Sequence, residues 1–221
     1  MIFVGREKEI RTITEALVRG ENVVVTGKFG IGRTALIRHI AQTSQSRWRF
    51  VFVDFSRTAN QACQHVMKEL FPHLKHESLR YKPARFKLIK EDVRDKRQPI
   101  LVLDNIGKLP APKFGFIRYL SFSKRFRFIS IVEHFVPEDD VLHLRAELFP
   151  AALIVLQRLR KADALNFFRR CSDQHRFHWD EGRLKNLAGE THGYPLLMRE
   201  AVERELRKEK VSAHGSPPAR G

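Results

Sequence analysis

The segment Gly27-Lys28-Phe29-Gly30-Ile31-Gly32-Arg33-Thr34 constrains this chain more than any other. It follows a short apolar run, Asn22 to Thr26, and precedes a stretch in which Leu36, Ile37, Ile40 and Ala41 recur at helical spacing. A glycine-rich loop between a strand and a helix is the context a phosphate cradle requires. The glycines let backbone N–H groups turn inward on phosphate oxygens, and the helix N-terminus points at the same anion. A plain glycine turn does not need all three features, and here strand, loop and helix agree. The candidate cradle is Gly27, Lys28, Gly30, Ile31, Gly32, Arg33, Thr34 and Ala35, with the Thr34 hydroxyl placed to ligate Mg²⁺. One position departs from the pattern: Arg33 stands where the motif carries lysine. A guanidinium is planar and bulkier than an ammonium, and its geometry on phosphate differs. Lys28 is the other amine in the loop. The sequence therefore predicts nucleotide binding ahead of efficient hydrolysis.

The rest of the chain alternates strands and helices. Helices are expected from Arg6 to Arg19, from Arg33, over 60–70, 83–94, 112–124 and 137–149. Strands are expected at 22–26, 49–55, 100–104, 126–132 and 152–156. Five strands with intervening helices imply an α/β fold: a parallel five-stranded sheet with helices on both faces. After residue 159 the pattern changes to helices alone, over 161–171, 180–187 and 195–208. We expect a nucleotide-binding core over 1–159, a small helical lid over 160–208 and a disordered tail over 209–221, where the sequence is rich in Pro, Gly and Ser.

Strand ends carry the remaining candidate chemistry. Ile100 to Leu103 lead into Asp104, a carboxylate suited to Mg²⁺ at the tip of a buried strand. Asn105 follows it; an amide cannot act as a base toward water. The strand over 126–132 ends in Glu133-His134. If it neighbours the Asp104 strand, Glu133 is placed to replace the missing carboxylate or His134 to sense a phosphate.

The charge points to the partner. Forty-one Lys and Arg against 25 Asp and Glu give a net charge of +16, a balance that favours polyanions, nucleic acid foremost. Between Asn105 and Val132 there are six basic residues and no acidic ones, interleaved with Phe114, Phe116, Tyr119, Phe122 and Phe126. Lys113, Arg118, Lys124 and Arg125 are the candidate phosphate contacts there, with exposed aromatics able to stack on bases and most of the rings expected in the core. The mixed-charge stretch over 75–96 is the weaker candidate. Two cysteines without CxxC spacing read as reduced thiols, and the N-terminus lacks a signal-peptide pattern, so a cytoplasmic protein without a membrane span is expected.

Together these motifs resemble the AAA+/STAND superfamily of P-loop ATPases, and within it the origin-recognition-like and archaeal-type ATPases. The resemblance covers residues 1 to about 208 and rests on Phe3-Val4-Gly5-Arg6-Glu7, the loop over 27–34, the strand ending in Asp104, and His192-Gly193-Tyr194-Pro195-Leu196. It implies ATP or ADP with Mg²⁺ as cofactors, bound between core and lid, with Phe3, Val4, Gly5 and Pro195 against the base. It also implies side-by-side assembly, in which Arg145 is the candidate arginine reaching a neighbour's nucleotide. Such families place a glutamate where Asn105 stands and an arginine at the lid sensor spacing, where this chain has Leu196 with Arg199 nearby. The reading is a nucleotide-dependent switch in a DNA-associated process, with slow hydrolysis. The alternative is a STAND-type signalling switch or a pseudo-ATPase subunit that binds a protein partner.

Overall fold

The structure, a computed structural model, describes residues 2–72, 80–91, 93 and 95–214, with side chains described as far as residue 208. In chain order the elements are α1 (Glu7–Val18), β1 (Asn22–Thr26), α2 (Arg33–Thr43), β2 (Trp48–Asp54), α3 (Ala59–Leu70), α4 (Tyr81–Lys90), β3 (Gln98–Ile106), α5 (Ala111–Phe122), β4 (Arg127–Val132), α6 (Glu138–Glu147), β5 (Ala151–Val155), α7 (Lys161–His175), α8 (Glu181–Thr191) and α9 (Pro195–His214).

The five strands form one parallel sheet in the order β2-β3-β4-β1-β5. Residues along a strand alternate faces, and the alternation divides the core. Val24, Val51, Val53, Leu101, Leu103 and Phe128 pack with α3, α4, α5 and α6 in one cluster. The intervening residues Val23, Val25, Ile100, Val102, Ile129 and Ile131 are also buried, with Ile13 and Leu17 of α1 and Leu36, Ile37 and Ile40 of α2. Strands buried on both faces read as continuous apolar runs, as VVV in β1 and ILVL in β3 do.

Two differences from expectation have local causes. β3 runs on to Ile106 because Asn105 adopts φ +60° and the register with β4 shifts between Leu103 and Ile106. This is a bulge, at a residue type that tolerates the left-handed region. The expected tail over 209–221 needs correction at its start: α9 continues to His214. Glu209-Lys210-Val211-Ser212-Ala213 contains no Gly or Pro to stop it. Residues 215–221 lie outside the described residues, as do 92, 94 and the 73–79 part of the weaker basic stretch.

The chain divides into two compact units. One holds Glu7–Phe29 and Arg33–Leu156; the other holds the described residues of Met1–Arg6, Gly30–Gly32 and Gln157–Gly221. In this division the N-terminal segment and the middle of the glycine loop group with the helices, whereas the expected core runs over 1–159 without a break. In the helical unit, Phe168, Leu184, Leu187, Met198 and Val202 form a core of their own. Gly193 is fixed there by close approach: with φ +68°, a Cβ would collide with the Leu159 carbonyl oxygen. That Leu159 in turn donates its N–H to Gly193 O at 2.8 Å.

Candidate nucleotide-binding site

The glycine loop has the backbone its sequence demands. Gly27, Gly30 and Gly32 take φ +146°, +75° and +93°, conformations open to glycine at little cost. Helix α2 begins at Arg33 with no acidic residue in its first turn, so its N-terminal N–H groups face no carboxylate of their own helix. Thr34 and Ala35, both half-buried, follow within that turn. In the helical unit, Val4 is buried and Phe3 and Pro195 are half-buried. Arg6, at φ +72°, donates from Nη2 to Ile31 O at 3.2 Å, and Leu196 N donates to Gly30 O at 3.2 Å. Arg6 lies in the Phe3–Glu7 segment that carries the resemblance, and it adopts the left-handed region together with Gly5, φ +72° and +65°.

In the sheet unit, β3 and α2 bring the two expected metal ligands together. Thr34 Oγ1 donates to Asp104 Oδ1 at 3.0 Å, and Asn105 N donates to the same oxygen at 3.0 Å. Burial pushes the Asp104 carboxyl above its ordinary range, opposed by these hydrogen bonds and by Arg38 and Arg33. This pair fits Mg²⁺: a hydroxyl and a hard carboxylate oxygen on adjoining elements. A bound ion would polarise and neutralise the phosphates of a nucleotide held on the loop.

At position 33 the guanidinium is already engaged within the protein. Arg33 is 6% exposed, and its guanidinium turns toward the end of the central strand β4. Nη1 donates to Val132 O at 2.5 Å and Nη2 to Glu133 Oε2 at 2.5 Å. The expected neighbourhood of β3 and β4 is present, since the two strands pair side by side. It places Glu133 against Arg33, which consumes the carboxylate expected to replace the missing glutamate. His134 is exposed and packs edge-on against Phe135 at 5.5 Å. Asn105 is exposed, and its Nδ2 donates to Asp54 Oδ1 at 3.4 Å.

Asp54 was not singled out from sequence, although it ends an apolar strand as Asp104 does and faces it in register. Its carboxyl lies below the ordinary range because the Ser56 hydroxyl donates to it at 2.7 Å. A cavity of about 260 Å³ opens beside these strand ends, lined by Arg38, Phe52, Asp54, Arg57, His65 and Asp104 among others.

Three of the four expected DNA contacts have partners within the molecule. Lys113 is 7% exposed: Nζ donates to Phe55 O at 2.6 Å and lies 5.3 Å from the Phe55 ring centroid. Burial lowers its pKa. Arg118 pairs with Glu147 through Nε at 3.0 Å and through Nη2. Arg125 donates to Ile89 O and Glu91 O, each at 2.5 Å. Lys124 alone of the four is exposed without such a bond among the described residues. Within this acid-free segment Lys113 and Arg125 thus cap backbone carbonyls and Arg118 pairs with a carboxylate, while Lys124 remains exposed. Arg145 is half-buried on α6, and its Nε is buried with no partner among the described residues. Cys63 and Cys171 are buried free thiols, pushed up to about 12 and about 11 by desolvation.

Sheet order, glycine loop and the Thr34–Asp104 pair define a P-loop nucleoside triphosphatase fold. The chain belongs to the AAA ATPase domain family, which matches residues 2–136. Among solved structures it is similar to the Cdc6p protein of Pyrobaculum aerophilum, with a TM-score of 0.69 and 16% identity, covering 96% of this chain and 65% of that one. It is also similar to the Aeropyrum pernix ORC1 protein in complex with DNA, with a TM-score of 0.61 and 13% identity over 96% and 68% of the two chains. A third is the Aeropyrum pernix ORC2 protein in ADPNP-ADP complexes, with a TM-score of 0.68 and 12% identity over 95% and 62%. These likenesses concern the fold, and this chain spans about two thirds of each neighbour's length. Comparison with curated proteins finds no match. Among the described residues no helix is long and apolar enough to cross a membrane.

Proposed function

We propose that this chain is a nucleotide-dependent switch that holds ATP or ADP with Mg²⁺, hydrolyses it slowly, and acts in a DNA-associated process. The observation that carries this reading is the Arg33–Glu133 pair. It occupies both the residue at the phosphate-binding lysine position and Glu133, a candidate carboxylate for orienting water. The backbone from Gly27 to Ala35 would hold the phosphates, with Thr34 and Asp104 on the metal. The net charge of +16 and the DNA complex of a structural neighbour support the nucleic-acid partner. The same ion pair favours a second reading, a subunit that binds nucleotide and never turns it over. Self-association and a role for Arg145 across a subunit boundary belong to the proposal as well.

Thermal shift and phosphate release test it together. ATP with Mg²⁺ should raise Tm by linkage. Gly32→Val, a β-branched residue forced to φ +93°, should abolish the shift, and Thr34→Ala should weaken its Mg²⁺ dependence. Turnover should fall below roughly 1 per second and rise in Arg33→Lys. A fast wild type overturns the slow-switch reading, and an unchanged shift in Gly32→Val removes the site from this loop.

A further inference from the structure

Of the aromatic residues interleaved with basic ones between Asn105 and Val132, Phe114, Phe116 and Phe126 are buried, while Phe122 is 79% exposed. Phe149 is 84% exposed. The two rings sit on chain segments that touch: Ser121 Oγ donates to Glu147 O at 3.1 Å, one residue before Phe122 and two before Phe149. Neither ring is presented by a loose segment. Phe122 ends α5. Phe149 lies between Leu148, whose carbonyl accepts from Asn22 Nδ2 at 2.5 Å, and Pro150, whose carbonyl accepts from Asn22 N at 2.8 Å. Asn22 is itself buried, and its Oδ1 accepts from Phe128 N at 2.9 Å. One buried asparagine therefore ties together the starts of β1, β4 and β5, and the Phe149 connection is held on both sides.

Two cations stand near Phe122 in the chain: Lys124, which is exposed, and Arg127, which is half-buried. Glu147, the carboxylate between the rings, is already paired with Arg118 and lies 3.4 Å from His143. Rigid exposed aromatics beside cations are what unpaired bases stack on; a duplex hides its base faces and offers only phosphate and groove edges.

We propose that Phe122 and Phe149 form a stacking platform for single-stranded nucleic acid at the strand-start edge of the sheet, with Lys124 and Arg127 on its phosphates. This rests on the nucleic-acid half of the reading above and is independent of nucleotide binding at the glycine loop.

Fluorescence anisotropy with labelled oligo-dT, oligo-U and a mixed-sequence duplex, at low salt, tests it on the full chain. The wild type should bind the single strands more tightly than the duplex, and comparing dT with U decides between DNA and RNA as source. Phe122→Ala and Phe149→Ala should each weaken single-strand binding about tenfold, and the pair about a hundredfold, with duplex binding little changed. Leu at both positions should fail to restore binding, and Trp should restore it with fluorescence quenched by the oligonucleotide. Both rings are exposed, so the melting temperature without nucleotide serves as the control for folding. Restoration by Leu would make the patch an apolar docking face and overturn the proposal. Unchanged oligo-dT binding in the double Ala variant would overturn this site and leave the nucleic-acid reading standing. A wild type that binds none of the three probes would overturn both.

Discussion

Arg33 and Glu133 share a hydrogen-bonded ion pair, Nη2 to Oε2 at 2.5 Å, with side chains only 7% and 17% exposed. They are 100 residues apart in the chain and meet because α2 starts beneath the end of β4. The pair is buried enough to matter for stability, since removing one partner of a buried pair strands the other charge. Arg33→Met should cost about 3 kcal/mol in urea unfolding, leaving both Glu133 and the Val132 carbonyl without their donor. Arg33→Met with Glu133→Leu should recover part of it. A loss under about 1 kcal/mol in the single variant would mean that solvent already screens the pair.

Asp104 should trade stability for metal binding. Burial raises its folded-state pKa. Its ionisation therefore opposes folding, and what protonation contributes is present below the unfolded pKa and lost as pH rises through the folded one. Asp104→Asn should raise the Tm of the nucleotide-free protein at neutral pH while removing the Mg²⁺-dependent part of the ATP shift. In the wild type that part should disappear on acidification at a higher pH than an ordinary aspartate would give, because protons compete for the carboxylate. Calorimetry across a pH series checks both, and a lowered Tm in the Asn variant would count against the account.

Asn105 is held at φ +60°. Asn105→Gly should be near neutral, while Asn105→Ala and Asn105→Glu should each cost about 1–2 kcal/mol, the ordinary penalty of the left-handed region for a side chain with Cβ. Equal stability of the Ala and Gly variants by urea titration would refute the bulge account. A glutamate restored here for catalysis thus carries a conformational penalty.

Lys113→Ala should destabilise by about 1–3 kcal/mol by leaving the Phe55 carbonyl without its 2.6 Å donor. It should leave affinity for any DNA unchanged. Equilibrium unfolding together with a salt titration of DNA binding separates the two effects. A flatter salt slope would return Lys113 to the surface.

Gly193→Ala combines φ +68° with a collision at the Leu159 carbonyl. It should loosen the helical unit, seen as faster proteolysis between residues 157 and 208, while the sheet unit holds. Cleavage at the wild-type rate would show that the Leu159 backbone can give way.

Sequence by itself determined the class of fold and the place of the glycine loop between a strand and a helix. Both are local: apolar runs of strand length, helical periodicity and glycines that permit positive φ act within a few residues. Each expected strand and helix has a counterpart among the described residues, and Thr34 with Asp104 followed from the same short-range logic. Which charge meets which partner was decided only by tertiary structure. Nothing near Arg33 foretells Glu133, nothing near Lys113 foretells the Phe55 carbonyl, and the run of cations after Asn105 looks alike whether its members face solvent or cap carbonyls. A long cationic side chain finds its partner across strands whose order the chain does not spell out. Burial then decides whether that charge is available to a ligand, and burial is a property of the packed whole.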